Sequence, residues 1–281
     1  MREYVVVGVD GSVRGRAAAD WAAREAESRG MPLRVVHVAG LAEDPAAGRR
    51  PDCAEPLLER TVDHLTDRRP ALRITGDRLT GDPVPGLLAA TRPGDLLVLG
   101  TRGAGGFAGL PVGSVALGAA ERAEVPVVLV PGVVAWSGGR GKSRADGEVA
   151  VGVDARAPAD AALDFAFDAA GRSDLRLRTL HAWTLPAELT ARAPFVLPEE
   201  DRAEREDQEV QLLADALHAW REKYPQVRVL EDVLLFSASH ALVRASARAE
   251  LVVVGRHGPA LGRTAHDLVQ HTRCPVAVVP S

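Results

Sequence analysis

The chain is written twice. Residues 5–12 read VVVGVDGS and residues 149–156 read VAVGVDAR, an offset of 144. The same offset carries Asp20-Trp21-Ala22 onto Asp164-Phe165-Ala166 and His37-Val38 onto His181-Ala182. Further along, Asp95 to Gly100 matches Glu250 to Gly255 at 155, and Pro126 to Pro131 matches Pro275 to Pro280 at 149. The second copy has therefore gained 11 residues (155 − 144) in its middle and lost six (155 − 149) between Gly255 and Pro275. The charged stretch 199–209, with Pro194 and Pro198 ahead of it, is a natural place for the gain. A repeat of this length is too long for a solenoid unit and implies a duplicated domain. We expect one domain over 1–132 and a second over 148–281. Between them, 133–147 has Ser137-Gly138-Gly139 and Gly141-Lys142-Ser143 at its centre, the composition of a flexible linker.

Within one copy, short apolar runs alternate with longer mixed segments. The runs 4–9, 33–38, 71–75, 96–99 and 126–130 are nearly continuous in Val and Leu, as strands buried on both faces are. The second copy repeats them at 149–153, 175–180, 227–234, 251–254 and 276–279. Segments 14–29 and 54–68 lie between strands and suit helices, with Ala18, Trp21, Ala22 and Ala26 on one face of the first. Strand–helix alternation predicts an α/β fold: two tandem open five-stranded parallel sheets with helices on both faces.

Composition excludes several classes of function. Thirty-eight acidic residues against 34 Lys+Arg give a formal charge of -4, without the basic excess of a nucleic-acid binder. Aromatic residues are only 4%, too few to stack single-stranded bases. No apolar run approaches the roughly 20 residues of a membrane helix. Met1-Arg2-Glu3-Tyr4 leads straight into a strand, so no signal peptide is expected. Cys53 and Cys274 stand far apart, in neither a disulfide framework nor a zinc pattern, which suits a reducing cytoplasm.

In an open α/β sheet, ligands bind at the carboxyl ends of the strands, near a topological switch point. In the first copy Asp10 closes the first strand. Gly100 closes the fourth and begins a glycine-rich stretch that runs to Gly113-Ser114. Glycines admit close approach of backbone to ligand. Ser114 is placed to open the next helix, where its N–H and hydroxyl could meet a phosphate oxygen. Ordinary turn and cap roles fit the same residues: Asp10 can cap its own Gly11-Ser12 turn, and Val38 can be core.

The spacing Gly100-x2-Gly103-x9-Gly113-Ser114 resembles the nucleotide-binding pattern of the universal stress protein family. The likeness spans both copies, from the opening Val-Gly-Val-Asp to the closing strand, and is to the tandem, actinobacterial type. It implies a sheet order of 3-2-1-4-5 in each half and ATP, with or without Mg2+, where strands one and four part. Carried over, Asp10 lies near ribose and phosphates, with Gly11 beside it. Val38 meets the adenine edge through its backbone. Gly100, Arg102 and Gly103 line the ribose and phosphate side, and Gly113, Ser114 and Val115 supply donors to the phosphates. The resemblance also implies a stress-response module. The closing strands 126–130 and 276–279 would be edges through which the halves pair about a pseudo-twofold axis, or whole chains form a homodimer. A nucleotide-independent scaffold and a slow ATPase are the alternatives; no catalytic residue is marked by a motif.

The second copy departs from the pattern. Asp154, Ala182, Gly255 and Gly258 keep their places, but Leu268 stands where the third glycine would be counted. Counting back from Cys274-Pro275 puts Gly262 in that glycine's place and Arg263 in the serine's. That leaves three residues between Gly258 and Gly262, too few to wrap a triphosphate. Gly141-Lys142-Ser143 resembles the end of a P-loop, but Trp136 stands where its first glycine belongs. His257, His266 and His271 lack a completing Cys or carboxylate, so no metal is expected. His37 and His181 suit hydrogen-bonded sheet histidines.

Overall fold

A computed structural model describes residues 3–40, 54–103, 112–132, 147–184 and 199–281. The predicted linker apart from Gly147, the tip of the glycine-rich loop at 104–111, Gly141-Lys142-Ser143, Cys53, Pro194 and Pro198 lie outside the described residues.

The first copy runs β1 (Val5–Gly8), α1 (Val13–Arg29), β2 (Leu33–Ala39), α2 (Ala54–Arg68), β3 (Ile74–Thr80), α3 (Pro83–Ala89), β4 (Leu96–Gly100), α4 (Ser114–Arg122) and β5 (Val127–Val130). The second runs β6 (Glu148–Gly152), α5 (Asp160–Ser173), β7 (Arg176–Trp183), α6 (Glu199–Lys223), β8 (Val229–Leu235), α7 (Ala238–Ala245), β9 (Leu251–Arg256), α8 (Arg263–His271) and β10 (Val276–Pro280). Each copy has the 3-2-1-4-5 order and parallel pairing within itself.

The two copies do not form two sheets. They share one ten-stranded sheet, in which β5 and β10 pair antiparallel, Leu129 opposite Val276 and Val127 opposite Val278. The physical reason lies in the side chains: β5 is buried along its whole length, as are the first four residues of β10. Neither could end a sheet against water. The sheet instead ends at β3 and β8, whose residues are half-buried or exposed.

Alternate strand residues feed two apolar layers. Val5, Val7, Val98 and Val128 face α1, α2, α5 and α6; Val6, Leu97, Leu99 and Leu129 face α3, α4, α7 and α8. Both layers pass through both copies. On the first, Arg29 lies 5.0 Å over the Phe165 ring, and Arg172 Nη1 donates to Glu25 Oε1 at 3.1 Å.

The edge strands begin later than the apolar runs suggest. Expected at 71–75, β3 occupies Ile74–Thr80. Leu72 N–H donates to Arg69 O in the turn that follows α2, and the strand continues through the polar Gly76-Asp77-Arg78. With one edge open to solvent, a strand needs no unbroken apolar run. In the same way β8 starts at Val229 instead of 227.

Candidate functional site

The order of strands reverses between β1 and β4: the chain leaves β1 toward β2 and leaves β4 toward β5. A cavity of about 570 Å3 opens there, at their carboxyl ends. A larger hollow of about 690 Å3 lies at the opposite end of the sheet, lined by residues such as Glu27, Met31 and Leu72. It is an open groove between the end of α1 and the turn before β3, away from the switch point. Asp10, Arg102, Gly103, Gly113 and Ser114 converge on the first cavity.

Asp10 ends the first strand segment in an Asx turn, its Oδ1 accepting from Ser12 N–H at 3.0 Å. Ser12 Oγ in turn accepts from Gly15 N–H at 2.9 Å and caps α1. Room for the Asp10 carboxylate is made by two glycines. A Cβ on Gly103 would come within 2.5 Å of Oδ2, and one on Gly15 within 2.8 Å of Oδ1. Gly11 supplies the turn, at φ +78°, and is not on the cavity wall. Val38, Gly100, Arg102, Gly103, Gly113, Ser114 and Val115 all are, together with Asp10.

Gly100 has a packing reason to be glycine. A Cβ there would sit 2.8 Å from the Arg14 carbonyl carbon and 2.9 Å from its oxygen, in the first turn of α1. Backbone cannot yield as a flexible side chain does. Gly100→Ala should therefore lower stability by about 1–3 kcal/mol, read as a fall in denaturant midpoint.

The glycine-rich segment is closed at its base. Thr101 N–H donates to Val130 O at 2.9 Å, and Gly113 N–H donates to Thr101 O at 2.7 Å. The Gly113 amide is thus engaged within the protein and is not one of the donors that the sequence led us to expect. Gly113 caps α4 without a side chain to do the capping. The first intrahelical bond is Leu117 N–H to Gly113 O, so the amides of Ser114, Val115 and Ala116 have no helical acceptor. All three residues line the cavity. Much of the remaining lining is apolar, formed by Val36, Val38, Leu87 and Leu99, and Pro83 stands at the start of α3. Gly15, Pro83 and Leu87 went unremarked in the sequence; Asp82-Pro83, a capping residue before an N-terminal proline, was the available signal.

The second copy keeps the frame and changes the chemistry. Asp154 Oδ1 accepts from Arg156 N–H at 3.1 Å, the same turn as at Asp10. Gly262 caps α8 as Gly113 caps α4, and Arg263 opens the helix. The structure thus places Gly262 and Arg263 where counting back from Pro275 had put them. Ala182 is half-buried, and Gly255 would clash with Ala159 if it carried a Cβ, at 2.6 Å. Gly258 holds φ +78°.

Where the first copy has Ser12, the second has Arg156, which donates two hydrogen bonds to Glu209 of α6, at 2.8 and 2.5 Å. The buried His181 stands between Val153 O, 3.0 Å from Nδ1, and Glu209 Oε2, 2.9 Å from Nε2. His37 keeps only the first of these contacts among those described, to Val9 O at 2.7 Å. The Arg156 bonds, joined by His181, outweigh burial and hold the Glu209 carboxyl below the usual carboxylate range. A depressed carboxyl stabilises the folded state above its unfolded value, and the gain is lost as pH falls through the folded value. Glu209→Gln should cost about 1–3 kcal/mol at neutral pH. Arg156 is 58% exposed, so the lower end applies. The difference from wild type should fade below about pH 4, checked by chemical denaturation across pH.

Of the three clustered histidines, His266 meets Gln270, and His271 Nδ1 lies 2.9 Å from the carbonyl of Asp267 in its own helix. Among the described residues no group of three His, Cys, Asp or Glu could hold a metal ion. None of the described helices is long and apolar enough to cross a membrane.

A sheet made of two 3-2-1-4-5 halves, with a cleft at the β1/β4 switch point of the first, defines a duplicated open α/β protein. The chain belongs to the universal stress protein family, whose profile matches residues 1–131 and 147–280. Universal stress protein Rv1996 of Mycobacterium tuberculosis (strain ATCC 25618 / H37Rv) is 31% identical over 303 residues, covering 98% of this chain and 94% of its own. Universal stress protein Rv2005c of the same strain is 31% identical over 296 residues, covering 98% and 96%. The crystal structure of a universal stress protein from Archaeoglobus fulgidus DSM 4304 has the same fold, with a TM-score of 0.66 at 17% identity over 99% of this chain and 96% of that one.

Proposed function

We propose that the first copy binds an adenine nucleotide, ATP, and that the protein is a cytoplasmic stress-response module regulated by that binding. The observation that carries this reading is the start of α4, which no side chain caps and whose first three residues, their amides without a helical acceptor, line a cavity that is otherwise largely apolar. Anions are favoured at such a helix start by its N–H groups and its dipole. A purine is favoured by the apolar lining. The volume of about 570 Å3 falls in the range of small-molecule sites. Asp10 is the one carboxylate among the described lining residues, and it is the group that would face a Mg2+ carried on the triphosphate. The glycine spacing that resembles the family's nucleotide pattern supports the same assignment. Domain limits at 1–132 and 148–281 belong to this reading, with nucleotide held in the first domain only.

Isothermal titration of the purified chain with ATP and ADP tests the proposal. Saturable binding at one site per chain is expected. An absence of heat at millimolar nucleotide, together with no nucleotide released on denaturing freshly purified protein, would overturn it.

A further inference from the structure

A side chain of the second copy reaches the far end of the helix that opens at the candidate site of the first. Arg256 ends β9 and is buried. Its Nη2 donates to Ala123 O at 2.5 Å, and its Nη1 donates to Gly258 O at 2.5 Å. Ala123 is the C-cap of α4. Gly258 belongs to the shortened loop between β9 and α8. One guanidinium therefore ties the altered loop of the second copy to the far end of the helix whose start faces the cavity in the first. Nine residues separate the two ends, about 14 Å along the axis.

The residue in the equivalent place of the first copy cannot make the reciprocal bridge. At the 155 offset Arg256 corresponds to Thr101, which is also buried but too short for such a bridge. Nor is it what stability alone would select. Burying a guanidinium is costly, and Arg256 Nε is buried with no hydrogen-bond partner among the described residues. What the residue supplies is position. It satisfies a carbonyl past the last turn of α4 and places positive charge at the negative end of the helix dipole. An anion at the start of α4 and Arg256 at its end complement the same dipole.

We infer that Arg256 is a positioning residue for the anion site at the start of α4, and that the β9–α8 loop it holds, although too short to wrap a triphosphate itself, acts as the brace of the site in the other half. This rests on the nucleotide reading above for its ligand, but the bracing of α4 can be measured without one.

The test compares full-length wild type with Arg256→Met, which keeps length and apolar contact, and Arg256→Lys, which keeps charge but cannot hold two carbonyls in a fork. ATP is titrated calorimetrically, and amide hydrogen exchange is followed over the whole chain without nucleotide. For Arg256→Met we expect ATP binding about five- to thirtyfold weaker, with exchange faster in 119–125 and unchanged in the helices away from it. For Arg256→Lys we expect smaller changes of the same kind. If wild type binds no ATP, the nucleotide reading falls, and the brace stands or falls on exchange alone. Unaltered exchange in 119–125 overturns the inference, as does loss of protection spread evenly through the chain. Should Arg256→Met fail to fold, Arg256→Lys decides: wild-type exchange and affinity in that variant overturn the inference.

Discussion

Gly113→Val should abolish ATP binding while leaving the protein folded. The backbone at Gly113 has φ -87° and ψ 158°, an extended conformation that Val adopts without strain. A Cβ there would meet Arg102 Cα at 3.6 Å and Gly103 N at 3.7 Å, ordinary contacts. The cost to folding is that of a poorer helix cap, about 1 kcal/mol. The isopropyl group, however, would stand beside the Ser114 and Val115 amides at the cavity wall. A loss of affinity of about a hundredfold or more, near 3 kcal/mol, is expected, measured by titration calorimetry beside a thermal melt. Gly100→Ala gives the opposite signature, a loss of stability from packing against α1. A folded Gly113→Val protein with unchanged ATP affinity would place the ligand, if any, somewhere else.

Val278→Asp should be strongly destabilising at the seam. Val278 is 1% exposed, opposite Val127 across the antiparallel joint and beside Val254. A carboxylate there is taken out of water among Val127, Val254 and the apolar layer around them, and burying a charge costs several kcal/mol. The consequence goes beyond a lower melting point. Because both apolar layers run through both copies, wild type should unfold in one calorimetric transition. The variant should show two, or a premature loss of one half to protease. Two well-separated transitions in wild type would mean that the copies are independent units and that the seam contributes little.

Much of the fold could be read because the duplication gave each strand a second witness. The central strands were the clearest, since Val5-Val6-Val7 or Leu96-Leu97-Val98 must be apolar on both faces. The edge strands were misplaced because Gly76-Asp77-Arg78 meets water and leaves no apolar signal. That the closing strands could pair was an open expectation, but one continuous sheet was not foreseen, because pairing partners are a property of edges and not of any one segment's pattern. At the site, Asp10 and the glycine loop could be located from strand ends. The engagement of the Gly113 amide by Thr101 could not, because backbone hydrogen bonds are independent of side-chain identity. Arg256 and Glu209 were invisible for a related reason: each acts on a group distant in sequence, and no motif marks either.

The antiparallel joint between β5 and β10 has a consequence for behaviour in solution. Two separate subunits held by such an edge would part on dilution. Here the partners are covalently linked, so their encounter is governed by a fixed effective concentration and not by how much protein is present. The pairing of the two halves, and with it the orientation of α4 against the β9–α8 loop, should therefore be insensitive to expression level.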